Sequence, residues 1–243
     1  MEITQQSSEQ LGNMQESIGL KLDPLGDNIS SLELVRVSGS DIDVANAARV
    51  SFGKTITSLS EKDVKLIQYL MNHDHTSPFE HNQFSFRVKA PIFVTRQWMR
   101  HRMASYNEIS YRYVNVPMEF YTPHQWRYQD PVNRQASHGS FENEEMRKIY
   151  QDTIETAVQA YEKLLANNVC RELARGLLPV CTYTQFIYTC NLHSLTHFMK
   201  LRLHPGAQWE IQQFAQGLLK LALPHFPVSL EAWKHKHCPD LQL

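Results

Sequence analysis

Residues 84 to 100 read FSFRVKAPIFVTRQWMR, and their hydrophobic pattern changes in the middle. Phe84, Phe86 and Val88 alternate with polar side chains, which is the pattern of a strand with one buried face. Pro91 follows, and proline is common at the first position of a helix, where its missing N–H is not needed. The stretch therefore predicts a strand that leads directly into a helix.

Strand and helix patterns also alternate in the segments around this stretch. Two further strands are predicted at SLELVRV (31–37) and TYTQFIYT (182–189). Helices are predicted at DIDVANAARV (41–50), SLSEKDVKLIQYLMNH (58–73), about 144 to 167, RELARGLLP (171–179), LHSLTHFMKLRL (192–203) and AQWEIQQFAQGLLKLAL (207–223). With no internal repeat and no convincing linker, the chain is expected to form a single α+β domain.

Three segments are expected to lie outside these elements. Residues 1 to 30 are polar and aperiodic, and they are expected to form an extension ahead of a domain covering residues 31 to 243. Residues 117 to 143 are rich in turn formers and aromatic residues, so a long, partly irregular loop is expected there. HKHC, residues 235 to 238, is expected to be a surface tail.

The composition limits the possible function classes. The 243 residues are 42% hydrophobic, which is enough for a substantial core. Lys and Arg number 24 against 25 Asp and Glu, so nucleic-acid or membrane partners are not expected and any anion binding must be local. Four Cys without a CxxC pair, no apolar run long enough to span a bilayer and no signal-peptide pattern at the start predict a cytoplasmic protein with reduced thiols.

The segment RHRMASYNEISYRY, which begins at Arg100, opens with three basic side chains and then alternates polar with apolar residues. At strand spacing, Glu108, Ser110 and Arg112 would share one face. Gln97 lies three residues before Arg100 on the preceding helix, so both side chains point to one side of its last turn. Because guanidinium groups bind phosphate and carboxylate oxygens in pairs, the pattern indicates a phosphorylated ligand.

The residues alone leave other interpretations open. Cations at the end of a helix are also favoured by the helix dipole, without any ligand. A nucleotide- or RNA-binding module would combine the same cations with stacking by Tyr106, Tyr111 and Tyr113. His193 and His197, four residues apart, have a spacing suited to a metal, and a metal hydrolase is a third class. The near-neutral charge disfavours the RNA-binding module, and the incomplete ligand set disfavours the metal hydrolase.

RHRMASYNEISYRY resembles the signature of the flavin-dependent thymidylate synthases, in which RHR is followed after seven residues by Ser. Further segments resemble that family in order and spacing, namely NAARVSF (46–52), HTSPFEH (75–81), FRVKAPIFVTRQWMRHR (86–102), RELARGLLP (171–179) and SLTHFMKLR with AQWEI (194–211). The resemblance implies a central, mostly antiparallel sheet flanked by long helices. It also implies conversion of dUMP to dTMP with FAD, NADPH and methylenetetrahydrofolate, in a homotetramer whose sites combine several chains.

The resemblance also assigns roles to individual residues. Arg202 is implied as the catalytic arginine that stabilises the electron-rich uracil ring. The residues implied to bind dUMP are Gln97, Trp98, Met99, Arg100, Glu108, Ile109, Ser110, Tyr111, Arg112, Arg175 and Arg202. The residues implied to bind the flavin are His75, Ser77, Arg100, His101, Arg102, Glu108, Asn191, Leu192, His193 and His197. No metal ligand is assigned, and Ser110 is implied to bind substrate without acting as a nucleophile.

Overall fold

The computed structural model, which describes residues 17–114 and 117–242, contains a five-stranded antiparallel sheet. Its strands are β1 (Lys21–Leu22), β2 (Ser31–Ser38), β3 (Gln83–Pro91), β4 (Ser105–Glu108) and β7 (Tyr183–Cys190). They lie in the order β1-β2-β3-β7-β4. The long central strands β3 and β7 pair from Phe84 opposite Cys190 to Pro91 opposite Tyr183. The predicted strands at 31–37, 84–91 and 182–189 are therefore confirmed.

The helices follow the predicted order and connect or cover the strands. They are α1 (Asp41–Arg49), α2 (Glu61–Asn72), α3 (Ile92–Trp98), α4 (Glu144–Ala166), α5 (Arg171–Ala174), α6 (Leu192–Arg202), α7 (Trp209–Ala222) and α8 (Pro227–His237). Short 3-10 turns lie at Val50–Phe52, Ser77–Glu80 and Arg175–Leu177. A separate hairpin is formed by β5 (Trp126–Gln129) and β6 (Ser137–Phe141). The α+β class with an antiparallel sheet is confirmed. None of the helices in the described part of the chain is long and apolar enough to cross a membrane.

Trp98, the last residue of α3, lies at the centre of the hydrophobic core. Its ring is 4.8 to 5.7 Å, centroid to centroid, from those of Phe186 and Tyr188 on β7, Phe198 on α6 and Phe214 on α7. Aromatic pairs at these separations stabilise a core beyond the area that they bury. Because Trp98 is fully buried, the end of α3 is fixed relative to the sheet and to both helices.

The strand predicted within RHRMASYNEISYRY is shorter than expected. β4 ends at Glu108, and the Tyr113 N–H then bonds to the Ser110 carbonyl at 2.9 Å, which closes a turn. The Ser110 hydroxyl accepts from the Arg112 N–H at 3.3 Å, a local bond that competes with strand pairing. The predicted alternation of side chains up to Tyr113 is therefore wrong.

Each of the three segments expected to be irregular contains regular structure. In the predicted extension, β1 pairs with β2 and Asp27 accepts a hydrogen bond from the Tyr183 hydroxyl, so part of this segment packs with the domain. Residues 1 to 16 lie outside the described residues. The predicted loop at 117–143 contains the β5–β6 hairpin, which stacks Tyr128 on Phe141 at 4.4 Å. In the predicted tail, residues 235 to 237 form the end of α8 and Cys238 follows as its C-cap, so that prediction is wrong.

A buried carboxylate holds the first turn of α8 against α1. Asp41 accepts from the N–H groups of Val228 and Ser229 at 2.7 and 3.0 Å, and from the Ser229 hydroxyl at 2.5 Å. Burial raises the pKa of Asp41, while these three hydrogen bonds act in the opposite direction. A side chain from α1 thus satisfies amide groups that α8 itself leaves without acceptors.

Asp41→Ala tests this contact. The substitution leaves two amide groups and a hydroxyl without their acceptor, so the free energy of unfolding is expected to fall by about 2 kcal/mol. Urea denaturation of the variant measures this loss. Asp152→Ala, which removes an exposed carboxylate from α4, is the matched control and is expected to leave the denaturation midpoint in place. Equal midpoints for the two variants would show that the Asp41 contact does not hold α8.

Candidate active site

The last turn of α3 and the last turn of α6 meet through one arginine. Arg202, the final residue of α6, donates from Nη2 to the Gln97 carbonyl oxygen at 2.9 Å. This carbonyl is near the end of α3, where a helix presents its negative dipole and carbonyls without helical partners. Burial lowers the pKa of Arg202, and the carbonyl compensates part of the cost of placing a guanidinium there.

His101 holds the other side of the Arg202 guanidinium. Arg202 Nε donates to His101 Nε2 at 3.0 Å, so this ring nitrogen acts as the acceptor and the imidazole is neutral, with its hydrogen on Nδ1. Burial, followed by the charges of Arg202 and His197, lowers the pKa of His101 to about 4. The ring packs on Phe198 at 4.6 Å. A neutral, packed imidazole thus fixes the direction of the Arg202 side chain.

A cavity of about 680 Å³ opens beside this arginine. Its lining combines guanidinium groups, carboxamides and small or apolar residues, from Arg96, Gln97, Met99, Arg100, Gln135, Arg202, Gly206, Ala207 and Gln208. The described residues place no acid in ion-pairing distance of the three arginines. Guanidinium and carboxamide groups together suit a ligand that carries both an anion and an amide-like edge. We call this the first cavity.

A second cavity of about 580 Å³ adjoins the first and shares Arg100 and Arg202 with it. Its remaining lining consists of basic, apolar and hydroxyl side chains, namely His101, Arg102, Met103, Tyr188, His193, Ser194, His197 and Leu201. Met103 is 81% exposed, so an apolar side chain as well as cations is available to a ligand here. Two ligands placed in the two cavities would meet at the shared arginines.

Several of the residues predicted to bind dUMP do not line either cavity. Glu108 accepts from the Thr184 hydroxyl at 2.6 Å, and the Tyr111 hydroxyl donates to the Tyr183 carbonyl at 2.7 Å. The others of this group are Ile109, Ser110, Arg112 and Arg175, of which Arg112 and Arg175 are exposed. Within one chain, the structure therefore brings together Gln97, Met99, Arg100 and Arg202, and leaves the second half of RHRMASYNEISYRY outside.

The predicted flavin-binding residues are divided in the same way. Arg100, His101, Arg102, His193 and His197 line the second cavity. The remaining members lie elsewhere: His75 and Ser77 are exposed in the segment after α2, Asn191 caps α6 through its bond from the Ser194 N–H, and Leu192 is buried.

Trp98, which was predicted to bind dUMP, has its side chain in the core and can offer a ligand only its backbone. The described residues contain no group of three His, Cys, Asp or Glu side chains placed to hold a metal ion.

Gln135 and Gln208 line the first cavity without having been predicted. Gln135 follows β5, and the hairpin is held in place because Arg127 on β5 lies 2.7 Å from the buried carboxylate of Glu210 on α7. Tyr121 donates to the same carboxylate oxygen at 2.9 Å. In the sequence, Glu210 is the residue that could have indicated this contact. An acid among the apolar residues of an amphipathic helix needs a buried partner.

A partly buried arginine between two open cavities, with a neutral histidine beside it, is an arrangement suited to an enzyme site that binds an anionic ligand next to a second ligand. Comparison with known proteins agrees. A sequence model of the family described as "Thymidylate synthase complementing protein" matches residues 33–228. The chain belongs to this family, and it is a methyltransferase.

The relatives cover most of the chain. A flavin-dependent thymidylate synthase of Thermus thermophilus is 46% identical over 203 residues, covering 84% of this chain and 75% of that protein. The enzyme of the same description from Kosmotoga olearia is 46% identical over 205 residues, covering 83% and 89%. The crystal structure of a UMP/dUMP methylase, PolB from Streptomyces cacaoi bound with 5-Br dUMP, matches with a TM-score of 0.79 and 36% identity, over 86% of this chain and 96% of that one.

The neutral state of His101 predicts a pH dependence of stability. Between pH 6.5 and about 4, the unfolded chain protonates this histidine while the folded protein does not. The unfolded state therefore binds more protons, and the free energy of unfolding falls as the pH falls, by about 2 kcal/mol across this window. Urea denaturation at several pH values measures the slope.

His101→Gln is expected to flatten this slope, because glutamine does not titrate but still offers an oxygen to Arg202 Nε. His235→Gln, at an exposed position on α8, is the control and is expected to keep the wild-type slope. A wild-type slope in His101→Gln would contradict the neutral, partly buried state of His101.

Proposed function

We propose that this chain converts dUMP to dTMP, with FAD as the bound cofactor, methylenetetrahydrofolate as the one-carbon donor and NADPH as the reductant. The observation that carries the proposal is the placement of Arg202, which lies between two adjoining cavities and is held by His101 and the Gln97 carbonyl. The relatives are described as flavin-dependent thymidylate synthases, and the solved relative holds a brominated dUMP.

The first cavity is proposed to hold the uridylate. The C5 atom of uracil is a poor nucleophile, and it attacks a one-carbon unit only when negative charge has developed on the ring and its oxygens. Arg202 has more N–H donors than its bonds to His101 and Gln97 use, and the remaining donors are free to bind the ring oxygen. Because two protein contacts already fix the guanidinium, it requires little reorganisation when that charge develops. Arg96 and Arg100 are available for the phosphate.

The second cavity is proposed to hold the flavin, and its residues fit that group. Arg100 and Arg102 have no acidic partner among the described residues, so both are free to bind a diphosphate. Met103 and Leu201, which are both exposed, offer apolar surface to a planar ring. When bound, the flavin supplies hydride transfer. The neutral His101 also lines this cavity, and its hydrogen bond from Arg202 fixes the direction of the shared guanidinium.

The active form is proposed to be a homotetramer whose sites combine residues of different subunits. Arg112 and Arg175 are exposed on the single chain and line neither of its cavities. If both bind dUMP, as the resemblance implies, they must do so in the cavity of another subunit. The enzyme is further proposed to be cytoplasmic and to act without nucleic-acid or membrane partners, in keeping with its formal charge of -1.

The direct test is to purify the protein, record its absorption spectrum and measure dTMP formation from dUMP, methylenetetrahydrofolate and NADPH. A yellow protein that releases FAD and forms dTMP is expected. Bound FAD without dTMP formation would overturn the proposed reaction. Binding of oligonucleotides that weakens steeply with salt, without any flavin, would instead support a nucleic-acid-binding module.

Arg202→Ala is expected to lower kcat for dTMP formation roughly a thousandfold, because it removes a donor that stabilises charge in the transition state. FAD is expected to remain bound through Arg100 and Arg102, and its absorption spectrum checks this. Arg36→Ala, which removes an exposed arginine of β2, is the control and is expected to keep full activity. Retention of activity by Arg202→Ala would show that its assigned role is mistaken.

Mixing two inactive variants tests whether sites are shared between subunits. Arg202→Ala and Arg175→Ala are each expected to be inactive at low dUMP. After the two are unfolded and refolded together, activity is expected to return to about a quarter of the wild-type level, since about half of the random pairs are mixed and about half of their sites are intact. A mixture no more active than the separate variants would place both arginines in the site of one chain.

A further inference from the structure

The last turn of α8 carries a lysine whose ammonium group faces the end of α2. Lys236 Nζ donates to the carbonyl oxygens of Met71 and Asn72, each at 3.0 Å, and lies 2.8 Å from Asp74 Oδ1. An ammonium group has three N–H donors, so these acceptors use all of them. The side chain is only 23% exposed. Lys236 therefore caps α2 from outside, at the end where the helix dipole favours a cation.

The segment that follows α2, residues 73 to 77, forms part of the wall of a small cavity. We call this segment the 73–77 loop. Asp74 and Thr76 line this cavity of about 100 Å³ together with His193 and His197 of α6. The same two histidines line the second cavity. A displacement of the 73–77 loop would therefore change the surroundings of side chains that face the proposed flavin site.

The contacts of the 73–77 loop make it dependent on Lys236. Asp74 adopts a left-handed backbone conformation, with φ of 55°, which residues other than glycine rarely adopt without support. The Asp74 side chain is 75% exposed, and its carboxylate is bound to Lys236. This bond holds the pKa of Asp74 below its ordinary value. The loop is also bound to α2 by the His75 N–H, which donates to the Leu70 carbonyl at 2.9 Å.

We propose that Lys236 is a positioning residue for the flavin site, acting through the 73–77 loop and the cavity that this loop shares with His193 and His197. The proposal rests on the proposed function, because it takes the second cavity as the place of the flavin. Lys236 lies on α8, beyond residue 228, where the match to the family model ends. The matched region therefore does not include this contact.

Lys236→Met tests the proposal, because methionine keeps most of the side-chain volume and removes the cation. The dissociation constant for FAD, measured by flavin fluorescence with the flavin-free protein, is expected to rise about tenfold. The KM for dUMP and the kcat at saturating FAD are expected to stay at their wild-type values, because Lys236 does not line the first cavity. Hydrogen exchange of the His75 amide, measured without flavin, is expected to become faster.

Lys234→Met is the matched control, since it removes the same charge from the same turn. Among the described residues, Lys234 forms no ion pair, and its substitution is expected to leave FAD binding unchanged. Equal FAD binding and equal His75 exchange in the two variants would overturn the proposal. Wild-type protein that bound no FAD would instead contradict the proposed function, while the His75 exchange would still report on the loop.

Asp74→Asn provides a second test that does not alter α8. Asparagine tolerates the left-handed conformation and still accepts a hydrogen bond, but it loses the charge. Weaker FAD binding, by a smaller factor than in Lys236→Met, is expected. This variant decides the matter if Lys236→Met does not fold, because wild-type FAD binding in Asp74→Asn would overturn the role given to the ion pair between Asp74 and α8.

Discussion

The central constraint on this protein is the partial burial of one guanidinium at the junction of two helices. Arg202 can be placed there only because it finds the Gln97 carbonyl on one side and a neutral imidazole, His101, on the other. Both partners come from the chain around the end of α3, and Trp98 anchors that end in the aromatic core. The packing of one tryptophan thus determines where the Arg202 guanidinium points.

The wall of the first cavity depends on a second buried charge. Glu210 lies on the same helix as the core residues Ile211 and Phe214, and its carboxylate receives Arg127 and Tyr121. A buried ion pair is weak evidence for stability, because desolvation offsets much of its attraction. It does, however, fix the register of the β5–β6 hairpin relative to α7. The strands of the hairpin are otherwise exposed or only partly buried, and this contact helps to bring Gln135 to the cavity.

The strands and helices that were predicted correctly are those whose buried face can be recognised from a short stretch of sequence. In β3 and β7, every second side chain is apolar because one face of the strand is buried. In α6 and α7, apolar side chains recur at helical spacing for the same reason, and both patterns can be recognised in a short stretch of sequence. The hairpin, β1 and α8 were missed because distant contacts hold them, such as Asp41 with Ser229. The site divides similarly: motif residues at the ends of α3 and α6 were found, whereas Gln135 and Gln208 reach the cavity only through tertiary packing.

The division of the predicted site residues between cavity and surface has a physical reason. β4 is one of the two edge strands of the five-stranded sheet and has only four residues. The chain then turns at Ser110, so Arg112 lies outside the cavities of its own chain. An unpaired edge with exposed polar side chains favours a partner that covers it. A nearly neutral chain therefore needs no general positive field to bind a nucleotide. It needs only a few guanidiniums without acidic partners, and in the proposed homotetramer these would come from more than one subunit.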